Sequence, residues 1–271
     1  MSAQNNVMTS SCCDFAGCYE CSQLPEMRKL ERDVLGCDYG GTSWTTRAQA
    51  GHIAESLGLG PGIHLLEVGS GSGWPGLFLG DETGCDVTLL DIPFNALKLA
   101  NERASHDGLA DRVEVVAASG TALPFENASF DRLSHSDVLC CLPEKLEMLL
   151  ECRRVANKGA LMHFSVILPA PNLSSSEYQE AIDVGPPFTD APGGYEPLLK
   201  ESRWQIVDRI DVSSEYQRTL QSLVDGMSSN ETAMRRVFGD DFEGHRQHRE
   251  DQIALASRGV LKREVFVTRA D

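Results

Sequence analysis

Apolar residues follow two rhythms along this chain. Short, nearly continuous runs recur at Ile63-His64-Leu65-Leu66-Glu67-Val68, at Asp86-Val87-Thr88-Leu89-Leu90-Asp91 and from Arg112 to Ala117. Runs this short and this apolar predict strands buried on both faces, as in a parallel sheet. Between them the spacing becomes helical. Leu77-Phe78-Leu79 faces the sheet from one helix. Ala96, Leu97, Leu99 and Ala100 mark the inner side of another over 93–107, ended by Gly108. Strands and helices in regular alternation predict a doubly wound α/β fold.

The alternation continues. Asp131 to Val138 reads as a fourth strand, 143–156 as a helix, Gly159 to Ile167 as a fifth strand and Gln205 to Val212 as a sixth. Lys262 to Thr268 closes the chain as an antiparallel edge strand. The expected sheet has seven strands, mostly parallel with an antiparallel last strand, and helices on both faces. Upstream, Pro25-Glu26-Met27-Arg28 begins a helix and Ala48 to Leu57 forms another, ended by Gly58. Residues 1–58 then make a tail and helical cap on a main domain over 59–271. Six prolines and Gly193-Gly194 break the pattern over 169–203, predicting a lid-like insertion. Leu220, Leu223, Val224 and Met227 predict a helical insertion within 214–257.

The stretch that organises the chain follows the first strand: Gly69-Ser70-Gly71-Ser72-Gly73-Trp74-Pro75-Gly76. Glycines here give a tight turn and let a ligand approach the backbone, because no Cβ stands in the way. Two patterns fit. Gly71, Gly73 and Gly76 match the dinucleotide pattern G-x-G-x-x-G. Glu67, Gly69, Gly71 and Gly73 match E-x-G-x-G-x-G. Asp91, at the end of the second strand, is placed to accept from both hydroxyls of a ribose under either pattern.

The stretch Ala118-Ser119-Gly120-Thr121-Ala122-Leu123-Pro124-Phe125-Glu126-Asn127-Ala128-Ser129-Phe130-Asp131 discriminates. Together with E-x-G-x-G-x-G it resembles class I S-adenosylmethionine-dependent methyltransferases of the small-molecule branch, over roughly residues 38–168. The resemblance implies S-adenosyl-L-methionine as cofactor. Carried onto this sequence, it points to Glu67, Gly69, Ser70, Gly71, Gly73, Asp91 and Ile92. It points also to Ser119, Gly120, Thr121 and Ala122 around the adenine, and to His135, Ser136 and Asp137 near the sulfonium and the incoming nucleophile. Ser119 departs from the pattern, since the family usually has an acid there. Tyr39 and Trp44, in Asp38-Tyr39-Gly40-Gly41-Thr42-Ser43-Trp44, would fold over the cofactor.

The chemistry so implied is in-line displacement onto O, N, C or S of a small molecule. His135 is the candidate general base, because imidazole titrates near neutral pH. Two other readings stand beside it: a nicotinamide-dependent oxidoreductase using Gly71, Gly73 and Gly76, and a catalytically silent fold that binds the cofactor only.

Composition narrows the partners. A formal net charge of −16 over 271 residues disfavours nucleic acid and anionic membranes. No apolar run is long enough to span a bilayer, and Met1 to Ser11 lacks a signal-peptide layout, so a cytoplasmic protein is expected. A homodimer stays open. Cys85, Cys140, Cys141 and Cys152 occupy apolar, core-like positions, which suits free thiols. Cys18 and Cys21 are spaced C-x-x-C, after Cys12-Cys13, but no second pair follows at finger spacing, so no metal is assigned.

Overall fold

Leu65 and Leu66 are both fully buried, yet they pack into different cores. Successive strand residues point to opposite faces. The strand β1 (His64–Val68) therefore sits in a sheet covered on both sides. The computed structural model describes residues 15–271. Its seven strands are β1, β2 (Asp86–Asp91), β3 (Val113–Ala117), β4 (Phe130–Ser136), β5 (Ala156–Pro169), β6 (Trp204–Asp211) and β7 (Leu261–Ala270). They lie in the order β3-β2-β1-β4-β5-β7-β6, and β7 runs antiparallel to both neighbours. The seven-stranded, doubly wound sheet expected from the apolar rhythm is present.

Chain order reverses between β1 and β4, which are paired through Leu65 with Arg132 and Glu67 with Ser134. A crevice opens at such a reversal, beyond the carboxyl ends of the strands, and ligands of open α/β sheets bind there. The helices around the sheet are α1 (Phe15–Ser22), α2 (Pro25–Leu35), α3 (Arg47–Leu57), α4 (Gly76–Thr83), α5 (Phe94–His106) and α6 (Lys145–Val155). Then come α7 (Ser175–Val184), α8 (Glu196–Glu201), α9 (Ser213–Ser229), α10 (Glu231–Phe238) and α11 (Phe242–Ser257). Helix α3 starts in a capping box, with Thr46 Oγ1 accepting from Gln49 N–H, and ends at Gly58 in the left-handed conformation. Both features satisfy backbone groups that a helix end leaves open.

Four boundaries differ from expectation. Strand β7 is not the edge: it lies between β5 and β6, and β6 is outermost. Its burial follows from that, since Val265, Phe266 and Val267 are covered while β6 is exposed from Gln205 onward. Strand β4 ends at Ser136, because Asp137 turns into the left-handed region at φ 57°. Strand β5 runs from Ala156 to Pro169, beyond the expected Gly159–Ile167 in both directions. The proline-rich stretch 169–203 is not wholly irregular: Ser174 and Glu177 form a capping box that starts α7, and Pro197 sits in the first turn of α8. Cys85, Cys140 and Cys152 are buried and Cys141 half-buried, all as free thiols. Cys12 and Cys13 lie outside the described residues.

Candidate active site

The glycine turn is pinned to the end of β2. Gly69 and Ser70 N–H donate to Leu90 O at 2.7 and 3.1 Å. Gly71 N–H donates to Asp91 Oδ2 and Ile92 N–H to Oδ1, each at 2.7 Å. Asp91 is thus held in one orientation by two backbone donors. Burial pushes its carboxyl up, and the Ile92 and Gly71 amides oppose that. The turn needs glycine for two reasons. Gly69 and Gly71 have φ of 73° and 53°, and a Cβ on Gly71 would lie 2.5 Å from the Tyr19 hydroxyl. A Cβ on Gly69 would overlap Val138 Cγ2.

Beyond this turn lies a cavity of about 690 Å³. It sits at the carboxyl ends of β1, β2, β3 and β4, in the crevice that the topology opens. Of the residues proposed from sequence, Gly69, Ser70, Gly71, Asp91, Ile92, Ser119, Gly120, Thr121, Ser136 and Trp44 line it. Ser70 and Ser72, 1% and 2% exposed, carry hydroxyls with no partner among the described residues. A buried hydroxyl without a partner is costly, so a ligand with polar groups at this point would satisfy both. Ser119 is already engaged: its hydroxyl bonds Thr121 Oγ1 at 2.8 Å and accepts from Thr121 N–H at 3.2 Å.

Five proposed residues do not reach the cavity wall. Glu67 is wholly buried beneath the turn, its Oε2 without a partner among the described residues; burial pushes its carboxyl up to about 8. Gly73 faces inward, its missing Cβ making room for Leu77 Cδ1. Ala122 closes a turn with its N–H on Ser119 O at 3.0 Å. Tyr39 packs on Trp74, ring centroids 5.0 Å apart, under the Arg103 guanidinium. His135 points to the other face of β4, stacked on Phe164 at 4.7 Å. Burial pushes it down to about 3, and its ring nitrogens have no partner among the described residues. Period 2 is the physical reason: Ser136 faces the cavity, so its neighbour His135 cannot. The general base proposed from sequence is therefore out of place.

Asp137, expected near the sulfonium, lies at the far end of the cavity, but its partner there was not foreseen. Its carboxylate is gripped by Arg263: Nη2 donates to Oδ2 at 2.8 Å and Nε to Oδ1 at 3.1 Å. Arg263 also donates to Trp44 O, Gln49 Oε1, Thr45 Oγ1 and Ser165 Oγ. One side chain thus joins β4, β5, β7 and the segment before α3. Cys141 and Pro186 complete this end. No motif marks these residues, since they come from five separate stretches of chain. The dinucleotide reading loses its footing at the same time. Gly73 and Gly76 do not line the cavity, and a Cβ on Gly76 would overlap Glu67 Oε2, so those glycines serve packing.

Comparison with known proteins agrees with this geometry. A methyltransferase domain family model matches residues 66–164. The chain is 31% identical over 116 residues to methyltransferase GfsG of Streptomyces halstedii, covering 43% of this chain and 42% of that protein. It is 39% identical over 101 residues to the ubiquinone/menaquinone biosynthesis C-methyltransferase UbiE of Brucella anthropi, covering 36% and 38%. The chain therefore spans less than half the length of these relatives. Among solved structures, the [4+2]-cyclase SpnF superposes with a TM-score of 0.75 at 17% identity, over 94% of this chain and 95% of that one. That likeness is one of fold alone. Residues 66–164 match the methyltransferase domain model, and the sheet that carries them has the fold of class I methyltransferases.

Proposed function

We propose that this protein is an S-adenosyl-L-methionine-dependent methyltransferase acting on a small molecule enclosed in the cavity. The single observation that carries this reading is the Asp91 carboxylate, fixed by two backbone N–H groups at the edge of a glycine turn that lines the same cavity. Each oxygen keeps lone pairs free for a ribose hydroxyl. The unpartnered Ser70 and Ser72 hydroxyls sit where the amino-acid end of the cofactor would need polar contacts. Gly120 and the Ser119–Thr121 pair offer backbone groups for the adenine.

When bound, the cofactor supplies a methyl group on a sulfonium, which is a good leaving group. The chain then has to hold the acceptor in line and exclude water. Trp44, Cys141 and Ile167 form the apolar part of that enclosure. The three carboxylates on the wall, Asp91, Asp137 and Glu144, suit a cofactor with a positive sulfonium. Transfer to a carbon, oxygen, nitrogen or sulfur acceptor is compatible with this wall.

Calorimetric titration tests the reading. S-adenosylhomocysteine should bind and NAD(H) should not. Binding of NAD(H) alone would replace this reading with hydride transfer. Binding of S-adenosylhomocysteine with no methyl transfer across a broad acceptor panel would favour a silent cofactor-binding fold.

A further inference from the structure

The cavity has two ends that belong to different packing clusters. Ala118, Leu142 and Met148 join the core on one face of the sheet, beside the glycine turn and Asp91. Trp44, Cys141 and Ile167 join a separate cluster built with α7, α9 and α11. If the cofactor occupies the first end, as proposed above, the second end receives the acceptor, and its chemistry selects the acceptor.

Among the described residues, no Lys, Arg or His lines the cavity. Three cations stand just behind the wall, and each is engaged. Arg263 spends its guanidinium on Asp137, Trp44 O, Gln49, Thr45 and Ser165. Lys145 donates to Leu142 O at 3.0 Å and Phe188 O at 2.7 Å. Arg249 lies over the Trp44 ring at 5.0 Å and donates to Gln252. An anionic acceptor entering this end would lose its hydration and meet no free counter-charge on the wall. The net charge of −16 adds long-range repulsion.

We infer that the acceptor is an uncharged molecule with an apolar skeleton, and that phosphorylated or carboxylated analogues of it are rejected. The apolar side chains of Trp44, Ile167 and Pro186 bury the skeleton, and the Arg263-neutralised Asp137 offers polar atoms without a net field. This rests on the methyltransferase reading, but it fails separately from it.

The test uses the whole chain saturated with S-adenosylhomocysteine and two probes of equal length, decanol and decyl phosphate. Binding of S-adenosylhomocysteine is measured first; its absence would sink the cofactor reading and leave the charge argument without its frame. With the cofactor product bound, decanol should bind at least about tenfold more tightly than decyl phosphate. Equal or tighter binding of the phosphate, or no binding of decanol, overturns the inference. A second variant checks the location. Pro186→Lys, whose fold is verified by circular dichroism, should narrow or reverse the preference by adding the missing cation. An unchanged preference would mean that the acceptor does not sit at this end.

Discussion

Arg263 Nη2 lies 2.8 Å from Asp137 Oδ2, and both side chains are almost completely buried. The pair ties the start of β7 to the turn after β4, where Asp137 holds a left-handed backbone conformation. A buried pair of this kind adds little by itself, but removing one partner strands the other charge.

Arg263→Met should therefore cost about 3–5 kcal/mol in urea denaturation, because Asp137 would be left charged and unpaired. The double variant R263M/D137N should recover part of that loss. A cost below about 1 kcal/mol for the single variant would show that the pair is not the tie it looks to be.

Glu67 makes stability depend on pH. Its carboxyl is raised from 4.5 to about 8 by burial, so the folded chain keeps a proton that the unfolded chain releases. Stability from this group is full below pH 4.5 and falls as pH rises towards 8. Glu67→Gln removes the titration and should gain on the wild type across that window, by on the order of 4 kcal/mol. A constant difference between the two proteins from acid to alkaline pH would contradict this.

His135 acts in the opposite sense. Burial lowers it from 6.5 to about 3, so the unfolded chain takes up a proton that the folded chain refuses. Its contribution is present above pH 6.5 and is lost as pH falls towards 3. His135→Phe should shift acid unfolding to lower pH while S-adenosylhomocysteine binding stays near the wild-type value. A large loss of affinity would return His135 to the site.

Two glycines in the left-handed region separate backbone strain from ligand access. Gly71→Ala places a methyl 2.5 Å from the Tyr19 hydroxyl, whereas Gly58→Ala has open space around it. Both should lose roughly 1–2 kcal/mol of stability from φ alone. Only the first should also lose cofactor affinity, by at least about tenfold. Equal effects on binding would mean that the glycine turn is structural only.

Much of the fold was legible because burial on both faces of a parallel sheet leaves a continuous apolar signature, as in Leu65-Leu66 and Leu89-Leu90. Gly69, Gly71 and Asp91 were legible because close backbone approach and a paired acceptor leave few alternatives in residue type. Glu67 matched the same motif but lies buried beneath the turn, off the cavity wall, and a motif match says nothing about which face a side chain takes. His135 failed for that reason too. Asp137 was read near the reacting centre, but its pairing with Arg263 was not legible: 126 residues separate them, and a lone arginine on an edge-like strand looks like a solvated one. The exchange of β6 and β7 at the edge was hidden similarly, because both strands run antiparallel to each other and neither order is written in their periodicity.

On the proposed reading, the cavity holds S-adenosyl-L-methionine by its ribose on Asp91. Calorimetry of S-adenosylhomocysteine binding to the wild type and to Asp91→Ala tests it most directly. The wild type should bind measurably, and the variant should lose about 1.5–3 kcal/mol, as for a charge-assisted hydrogen bond. No binding to the wild type, or equal binding to both, would contradict it.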